Sequence, residues 1–98
     1  MPRPGYTYIL ASKTRGTLYI GVTSELVGRV WKHKEGNNDG FARKYGVRRL
    51  VYYEHYDDIY DAIVREKQLK KWNRAWKIRL IEKDNPNWYD LYDQLAGT

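Results

Sequence analysis

The chain has 98 residues, no cysteine and only two histidines, and its length predicts one domain spanning residues 1–98. The lack of cysteine excludes disulfides and cysteine-ligated metal centres, and two imidazoles are too few for a typical structural zinc site. A formal net charge of +6 favours a polyanionic partner. Four tryptophans and ten tyrosines add rings that can stack on nucleic-acid bases.

Nothing in the sequence indicates a membrane segment or a secretion signal. No run of about 18 apolar residues is present, and the first residues, MPRPGY, lack the apolar stretch of a signal peptide. We therefore expect a cytoplasmic protein that does not contact a membrane, and no feature indicates an obligate protein partner.

The first structural pattern is a hairpin. In residues 6–11 and 17–22 the side-chain types alternate, as they do along a strand with two different faces. Both segments are rich in strand-forming side chains, and a short polar turn joins them. A turn with an even number of residues would place Tyr8 directly across from Tyr19. The face that carries Ile20 is the predicted core face, so we expect the two tyrosines on the side that the main core does not need.

The first helix follows the hairpin. Thr23 or Ser24 is expected to cap its start, and the helix should end near Glu35. Leu26 and Val30 mark its buried stripe.

The remaining elements complete an α+β pattern. Residues 36–44 are polar and rich in glycine and asparagine, which predicts a loop, and residues 48–56 predict a third strand. Helices are predicted at 58–72 and 74–83, with a short final helix within 88–95. The order β-β-α-β-α-α predicts a small three-stranded antiparallel sheet flanked by helices.

Glu66 is the most informative single residue. It occupies the apolar stripe of the predicted second helix, between Ile63 and Leu69. An unpaired carboxylate there would cost several kcal/mol, so it needs a partner. The two interpretations are an ion pair with a lysine or arginine and a divalent-metal ligand that faces a cleft.

Four further residues carry chemistry. Arg29 and His33 are four apart and share one face of the first helix. With Tyr8, Tyr19 and Glu66 they supply the groups needed to hydrolyse a phosphodiester. The alternatives are a helix surface pair and an aromatic cross-strand pair worth up to about 1 kcal/mol.

These residues resemble the GIY-YIG nuclease family. The motifs are YTY at residues 6–8 and YIG at residues 19–21, with the family's spacing of eleven positions between their tyrosines. Arg29, His33 and Glu66 fall where the family has its arginine, its histidine and its metal-binding glutamate. The tail of the chain resembles the small stand-alone bacterial branch. The asparagine that some members place after the glutamate has no clear match.

The resemblance implies a metal-dependent DNA endonuclease. Glu66 would hold one Mg²⁺ or Mn²⁺, Arg29 would stabilise charge on the phosphate, and His33 would orient water or a tyrosine. Tyr8 is favoured as the general base and Tyr19 is the alternative. A free phenol has a pKa of about 10, so nearby cations would have to lower it.

The expected partner is nucleic acid, most simply DNA, with RNA as an open alternative. Weak sequence specificity is expected, because a basic surface contacts the backbone rather than the bases. A preference for single-stranded or branched DNA would follow if the aromatic residues stack on bases. We expect Trp31, Trp72 and Trp76, however, to belong to the core. The residues expected to contact phosphates are Arg43, Lys44, Lys67, Lys70, Lys71, Arg74 and Lys77.

A second function remains open on the sequence. The chain would then be a nucleic-acid-binding module with the same fold and no catalytic activity.

Overall fold

The computed structural model describes residues 3–36 and 40–97. Among these residues, no helix is long and apolar enough to cross a membrane. The predicted class is confirmed, since three antiparallel strands form one sheet and helices flank it. The elements are β1 (Gly5–Ala11), β2 (Leu18–Thr23), α1 (Leu26–Glu35), α2 (Gly40–Tyr45), β3 (Arg49–Tyr56), α3 (Ile59–Lys71), α4 (Arg74–Asp84) and α5 (Tyr92–Ala96).

The sheet has β1 at its centre, in the order β2-β1-β3, and helices cover both of its faces. On one face Tyr8 and Leu10 pack with Leu26 and Val30 of α1. The other face has its own cluster, formed by Ile9, Ala11, Ile20, Val51, Leu69, Ile81 and Trp88. The expectation that the tyrosine face lies outside the core is therefore wrong, because α1 buries that face as well.

The hairpin register differs from the predicted one. Tyr8 pairs with Gly21, and Tyr19 pairs with Leu10. The centre of the turn lies one residue later than the predicted register requires, and the backbone N–H of Ser12 closes the turn by donating to the carbonyl of Thr17 at 3.0 Å. The shift amounts to one full side-chain period, so both tyrosines still project from the same face.

The start of α1 also differs from its prediction. The helix begins at Leu26, and its N-cap is Glu25, whose carboxylate accepts the Gly28 N–H at 3.2 Å. Thr23, a predicted cap, instead accepts the N–H of Glu25 at 3.0 Å. A Cβ at position 28 would come within 2.4 Å of that carboxylate, so glycine leaves room for the cap.

The predicted loop at 36–44 is wrong over its second half. The segment Gly40–Tyr45 forms α2, whereas residues 37–39 lie outside the described part of the chain. Alanine, arginine and lysine in this segment are good helix formers. Gly46 follows with a positive φ of 64°, and the fully buried Val47 attaches the segment to the core.

Two tryptophans expected in the core lie on the surface. Trp31 is 52% exposed and Trp76 is 49% exposed, whereas Trp72 is partly buried. The fully buried tryptophan is Trp88, whose indole N–H donates to Glu82 at 2.7 Å. Trp31 is exposed because its neighbour on α1, Val30, occupies the buried face of the helix.

Candidate active site

Three aromatic side chains meet between the sheet and α1. Tyr8 is fully buried and His33 is 2% exposed. The Tyr8 hydroxyl lies 3.2 Å from Nε2 of His33, and the histidine tautomer decides which of the two donates. The Tyr19 ring lies 5.2 Å from the His33 ring and 6.4 Å from the Tyr8 ring, between centroids. The structure thus brings together three of the predicted site residues.

Gly21 provides the space for this arrangement. It faces Tyr8 across the hairpin, and a Cβ added to it would come within 2.5 Å of both Cζ and the hydroxyl of Tyr8. Real Cβ atoms do not approach other atoms so closely, so the ring of Tyr8 lies where only glycine permits it. The sequence placed this glycine in a motif, but the register was needed to show which ring it accommodates.

Arg29 lies one helical turn before His33 on α1 and is exposed. Its guanidinium forms no hydrogen bond or ion pair with the residues that the structure describes. It is therefore accessible to an anion from solvent, beside a helix face that carries the buried histidine.

Glu66 lies on α3, which packs against the sheet from the face opposite α1. The hydroxyl of Thr7 anchors that helix by donating to the Ala62 carbonyl at 2.7 Å. The carboxylate of Glu66 is 3.1 Å from the ammonium group of Lys70, and the two side chains are 14% and 55% exposed. Of the two sequence-based interpretations, an ion pair is present, but its cation is in solvent rather than buried.

A pocket at the edge of the sheet connects the two sides. It has a volume of about 290 Å³ and is lined by Tyr19 and its strand neighbours together with Lys70 and Lys77. Because β2 is an edge strand, its side chains reach this pocket from both faces. Tyr19, a member of the cluster with Tyr8 and His33, and Lys70, the ion-pair partner of Glu66, therefore border one opening.

Glu66 is the one residue of the predicted set that could serve as a carboxylate ligand for a hard divalent cation. No group of three or more histidine, cysteine or acidic side chains suited to a metal ion exists within 3–36 and 40–97. Magnesium, however, is commonly held by one or two carboxylates, with water and substrate phosphate completing its shell. Glu66 is a single, largely shielded carboxylate of the type required.

Four of the predicted phosphate contacts are solvent-exposed and carry no ion pair to a described residue. Lys67 and Lys71 lie on α3, and Arg43 and Lys44 lie on α2. The ammonium of Lys44 lies 5.4 Å from the ring centroid of Tyr45. All four can reach a polyanion without first giving up a salt bridge.

The other three have structural neighbours. Lys70 pairs with Glu66, and Lys77 lines the pocket beside Tyr19. Arg74 donates to the carbonyl of Gly16 at 2.8 Å and so ties α4 to the hairpin turn. Replacing Arg74 would therefore alter the fold as well as the charge.

The two asparagines after Glu66 both serve the backbone. Asn73 caps α4 by accepting the Trp76 N–H at 2.9 Å. The side chain of Asn85 donates to the Val51 carbonyl at 3.1 Å and accepts the Tyr89 N–H at 3.0 Å. Both asparagines therefore have a role in local structure.

A known protein family matches most of the chain. The profile of the GIY-YIG catalytic domain matches residues 4–79, which include every candidate site residue named above. The chain belongs to the GIY-YIG family. This is a family of nucleases, and its two name-giving motifs correspond to the β1 and β2 segments that bring Tyr8 and Tyr19 together.

Two bacterial proteins are similar to this chain over most of its length. A UPF0213 protein of Pediococcus pentosaceus is 33% identical over 79 residues, which are 81% of this chain and 82% of the relative. A UPF0213 protein of Clostridium perfringens is 37% identical over 76 residues, covering 78% and 81%. The similarity thus extends over about four-fifths of each chain.

A solved structure supports the fold. The solution NMR structure of a UPF0213 protein from Bacillus halodurans superposes with a TM-score of 0.56 at 26% identity. The match covers 92% of this chain and 95% of the other.

Proposed function

We propose that this protein is a metal-dependent endonuclease that hydrolyses phosphodiester bonds in DNA with little sequence specificity. The observation that carries the proposal is the pocket at the β2 edge, where Tyr19 and two lysines face a single opening. Behind that opening Tyr8 and His33 form a buried hydrogen-bonded pair. A scissile phosphate in the pocket would meet cations for its charge and a phenol for its attacking water.

Exposure favours Tyr19 over Tyr8 as the general base. Tyr8 is fully buried, whereas Tyr19 is partly exposed and lines the pocket. A general base must come within hydrogen-bond reach of the water that it deprotonates. We therefore assign that role to Tyr19, reversing the preference drawn from the family resemblance. Tyr8 and His33 become positioning residues that hold the Tyr19 ring.

Arg29 and Glu66 complete the roles. The guanidinium of Arg29 has the planar fork that suits two non-bridging phosphate oxygens, and its exposure leaves it accessible to them. Glu66 would hold Mg²⁺ or Mn²⁺, and the ion's charge would polarise the phosphate and stabilise the leaving oxygen. Lys70 pairs with Glu66, is 55% exposed and lines the same pocket, so its charge would also be near the phosphate.

The decisive experiment is a nicking assay with purified protein. Supercoiled plasmid and end-labelled single-stranded DNA are incubated with Mn²⁺ or Mg²⁺, with and without a chelator. We expect cleavage that the chelator abolishes and that Arg29→Ala removes. Lys32→Ala, which removes another exposed cation from α1, should cleave normally and so controls for charge and for contaminating nucleases. Intact DNA under every condition would contradict the proposal and favour a non-catalytic binding module.

A further inference from the structure

A pair of tryptophans lies where α3 passes into α4. Trp72 is the C-cap of α3, and Trp76 lies in the first turn of α4 and is 49% exposed. Their ring centroids are 5.8 Å apart and the rings are nearly perpendicular, at 87°. Together with Arg79, Leu80 and Lys83 they line an open pocket of about 410 Å³. An exposed indole of this kind is not needed by the core.

Trp72, one member of the pair, is held in place by Arg65. The guanidinium of Arg65 lies over the Trp72 ring, 5.0 Å from its centroid. Arg65 is itself fixed by an ion pair with Glu54 at 3.0 Å, and both of these side chains are largely buried. The Trp72 ring therefore has a rigid support, and its orientation costs little further ordering when a ligand binds.

A second layer of contacts fixes Glu54. Its carboxylate accepts hydrogen bonds from the Tyr52 hydroxyl and, at 2.7 Å, from the Tyr56 hydroxyl. Burial alone would raise the pKa of Glu54, but the hydrogen bonds from Arg65, Tyr52 and Tyr56 outweigh it and lower that pKa. Glu54 thus stays ionised and holds Arg65 against the Trp72 ring.

The surface around the two rings is cationic. Arg79 and Lys83 are exposed and form no ion pair with a residue in the described ranges. The nearby acid Glu82 is already occupied, since it pairs with Arg15 at 2.9 Å and accepts the Trp88 N–H. Aromatic faces next to unpaired cations match the alternation of bases and phosphates in an unpaired strand.

We propose that the pocket bounded by Trp72 and Trp76 binds an unpaired nucleobase of single-stranded DNA, with adjoining phosphates on Arg79 and Lys83. The proposal rests on the nuclease function proposed above and specifies its substrate. Trp76 lines this pocket and the next residue, Lys77, lines the Tyr19 pocket, so the two pockets adjoin at α4. In a continuous duplex the bases already stack on each other and are not available to an indole.

The test measures binding without cleavage. The probe is a fluorescein-labelled 15-mer of thymidylate in chelator, with a blunt duplex of equal length as the second probe. Trp76→Ala should weaken binding of the single strand by about 5- to 150-fold, the effect of losing one stacked base. Duplex binding should change less than about twofold, since a duplex offers Trp76 no free base on which to stack. Trp31→Ala is the matched control, because Trp31 is 52% exposed on a different helix.

Each outcome decides the proposal. Selective loss with Trp76→Ala and near-normal binding with Trp31→Ala support it. Equal binding by wild type and Trp76→Ala, equal losses in both variants, or no binding by wild type would overturn it. A wild-type dimer that Trp76→Ala dissociates, measured by sedimentation, would overturn it as well, because a second copy would then cover the pocket.

The same data separate this proposal from the nuclease function. Binding is measured in chelator, so a protein that never cleaves can still show the selective loss. In that case the single-strand site stands and the endonuclease proposal fails. If Trp76→Ala still cleaves DNA and binds the single strand with wild-type affinity, the endonuclease proposal stands and the single-strand site fails.

Discussion

The ring of Tyr8 lies against the backbone of Gly21, with no room for a single additional carbon. A Cβ at Gly21 would be 2.5 Å from the Tyr8 hydroxyl, and that hydroxyl is 3.2 Å from His33 Nε2. The contact couples the backbone of an edge strand to the buried half of the candidate active site.

Gly21→Ala should therefore displace Tyr8. Overpacking a filled core costs about 1–3 kcal/mol, so the melting temperature should fall and cleavage should drop even where the protein is folded. Gly40→Ala is the control, because a Cβ there meets nothing within 4 Å. Thermal melts and nicking rates measured on both variants check this, and a Gly21→Ala protein that cleaves normally would show that the position of Tyr8 is unimportant.

The two tyrosines should respond differently to loss of the hydroxyl. Tyr19→Phe should lower the cleavage rate by about 10²–10⁴-fold, the usual contribution of a general base, with little change in stability. Tyr8→Phe removes a buried hydrogen bond to His33 and should cost about 1–3 kcal/mol of folding free energy. At a temperature where it is folded, it should keep measurable activity with the wild-type pH profile. If Tyr19→Phe cleaves well and folded Tyr8→Phe does not, the roles are reversed.

Glu66→Gln should abolish metal-dependent cleavage and leave the fold intact. Its ion-pair partner, Lys70, is 55% exposed, so removing the charge should cost only about 0–1 kcal/mol. DNA binding should hold or improve, because one repulsive carboxylate is gone. Asp61→Asn, an exposed acid on the same helix, should cleave normally. Melting, binding and cleavage are measured together, and a Glu66→Gln protein that unfolds or still cuts would refute the metal-ligand role.

Lys67 and Lys71 should contribute affinity without chemistry. Replacing both with glutamine should weaken binding to every DNA sequence and reduce the slope of log affinity against log salt by about 0.7–0.9 per lost contact. Fluorescence anisotropy across a salt series gives that slope. The double variant Arg3→Gln/Lys13→Gln has the same net charge and changes two other exposed cations. A slope unchanged by the α3 double variant would place these lysines away from DNA.

Glu54 should make the protein sensitive to acid. Because its folded pKa lies below the ordinary value, its ionised form contributes stability at pH values above the unfolded pKa of about 4.3. That contribution should be lost as pH falls through the folded pKa. Glu54→Gln should therefore be less stable than wild type at pH 7, and the difference should shrink toward pH 3. Chemical denaturation at several pH values tests this, and a constant difference would show that Glu54 does not titrate with folding.

The contacts that lower the pKa of Glu54 raise the pKa of the neighbouring tyrosines. Burial and the hydrogen bond to Glu54 raise the pKa of Tyr56 to about 12 and raise the pKa of Tyr52 further. Both phenols therefore remain protonated donors throughout the pH range of the experiment above.

Much of the architecture could be predicted from the sequence. Alternation marks the hairpin, and helical spacing marks α1 and α3, because these patterns reflect which side chains leave water. The motif spacing also indicated Tyr8, Tyr19, Arg29, His33 and Glu66 as one set. Their catalytic roles stay predictions, whereas the proximity of Tyr8, Tyr19 and His33 is now an observation.

By itself, the sequence determined the fold class and the positive charge and indicated the candidate reactive groups, since each depends on local composition and spacing. The tertiary structure alone decided the hairpin register, the burial of Tyr8 and the exposure of Trp76. Register depends on where the turn between Ser12 and Thr17 closes, which the alternation of side chains does not specify. Burial depends on which helix packs on a face, and that is set by contacts between segments distant in sequence. A period of two or 3.6 residues tells which side chains share a face, but it does not tell what covers that face.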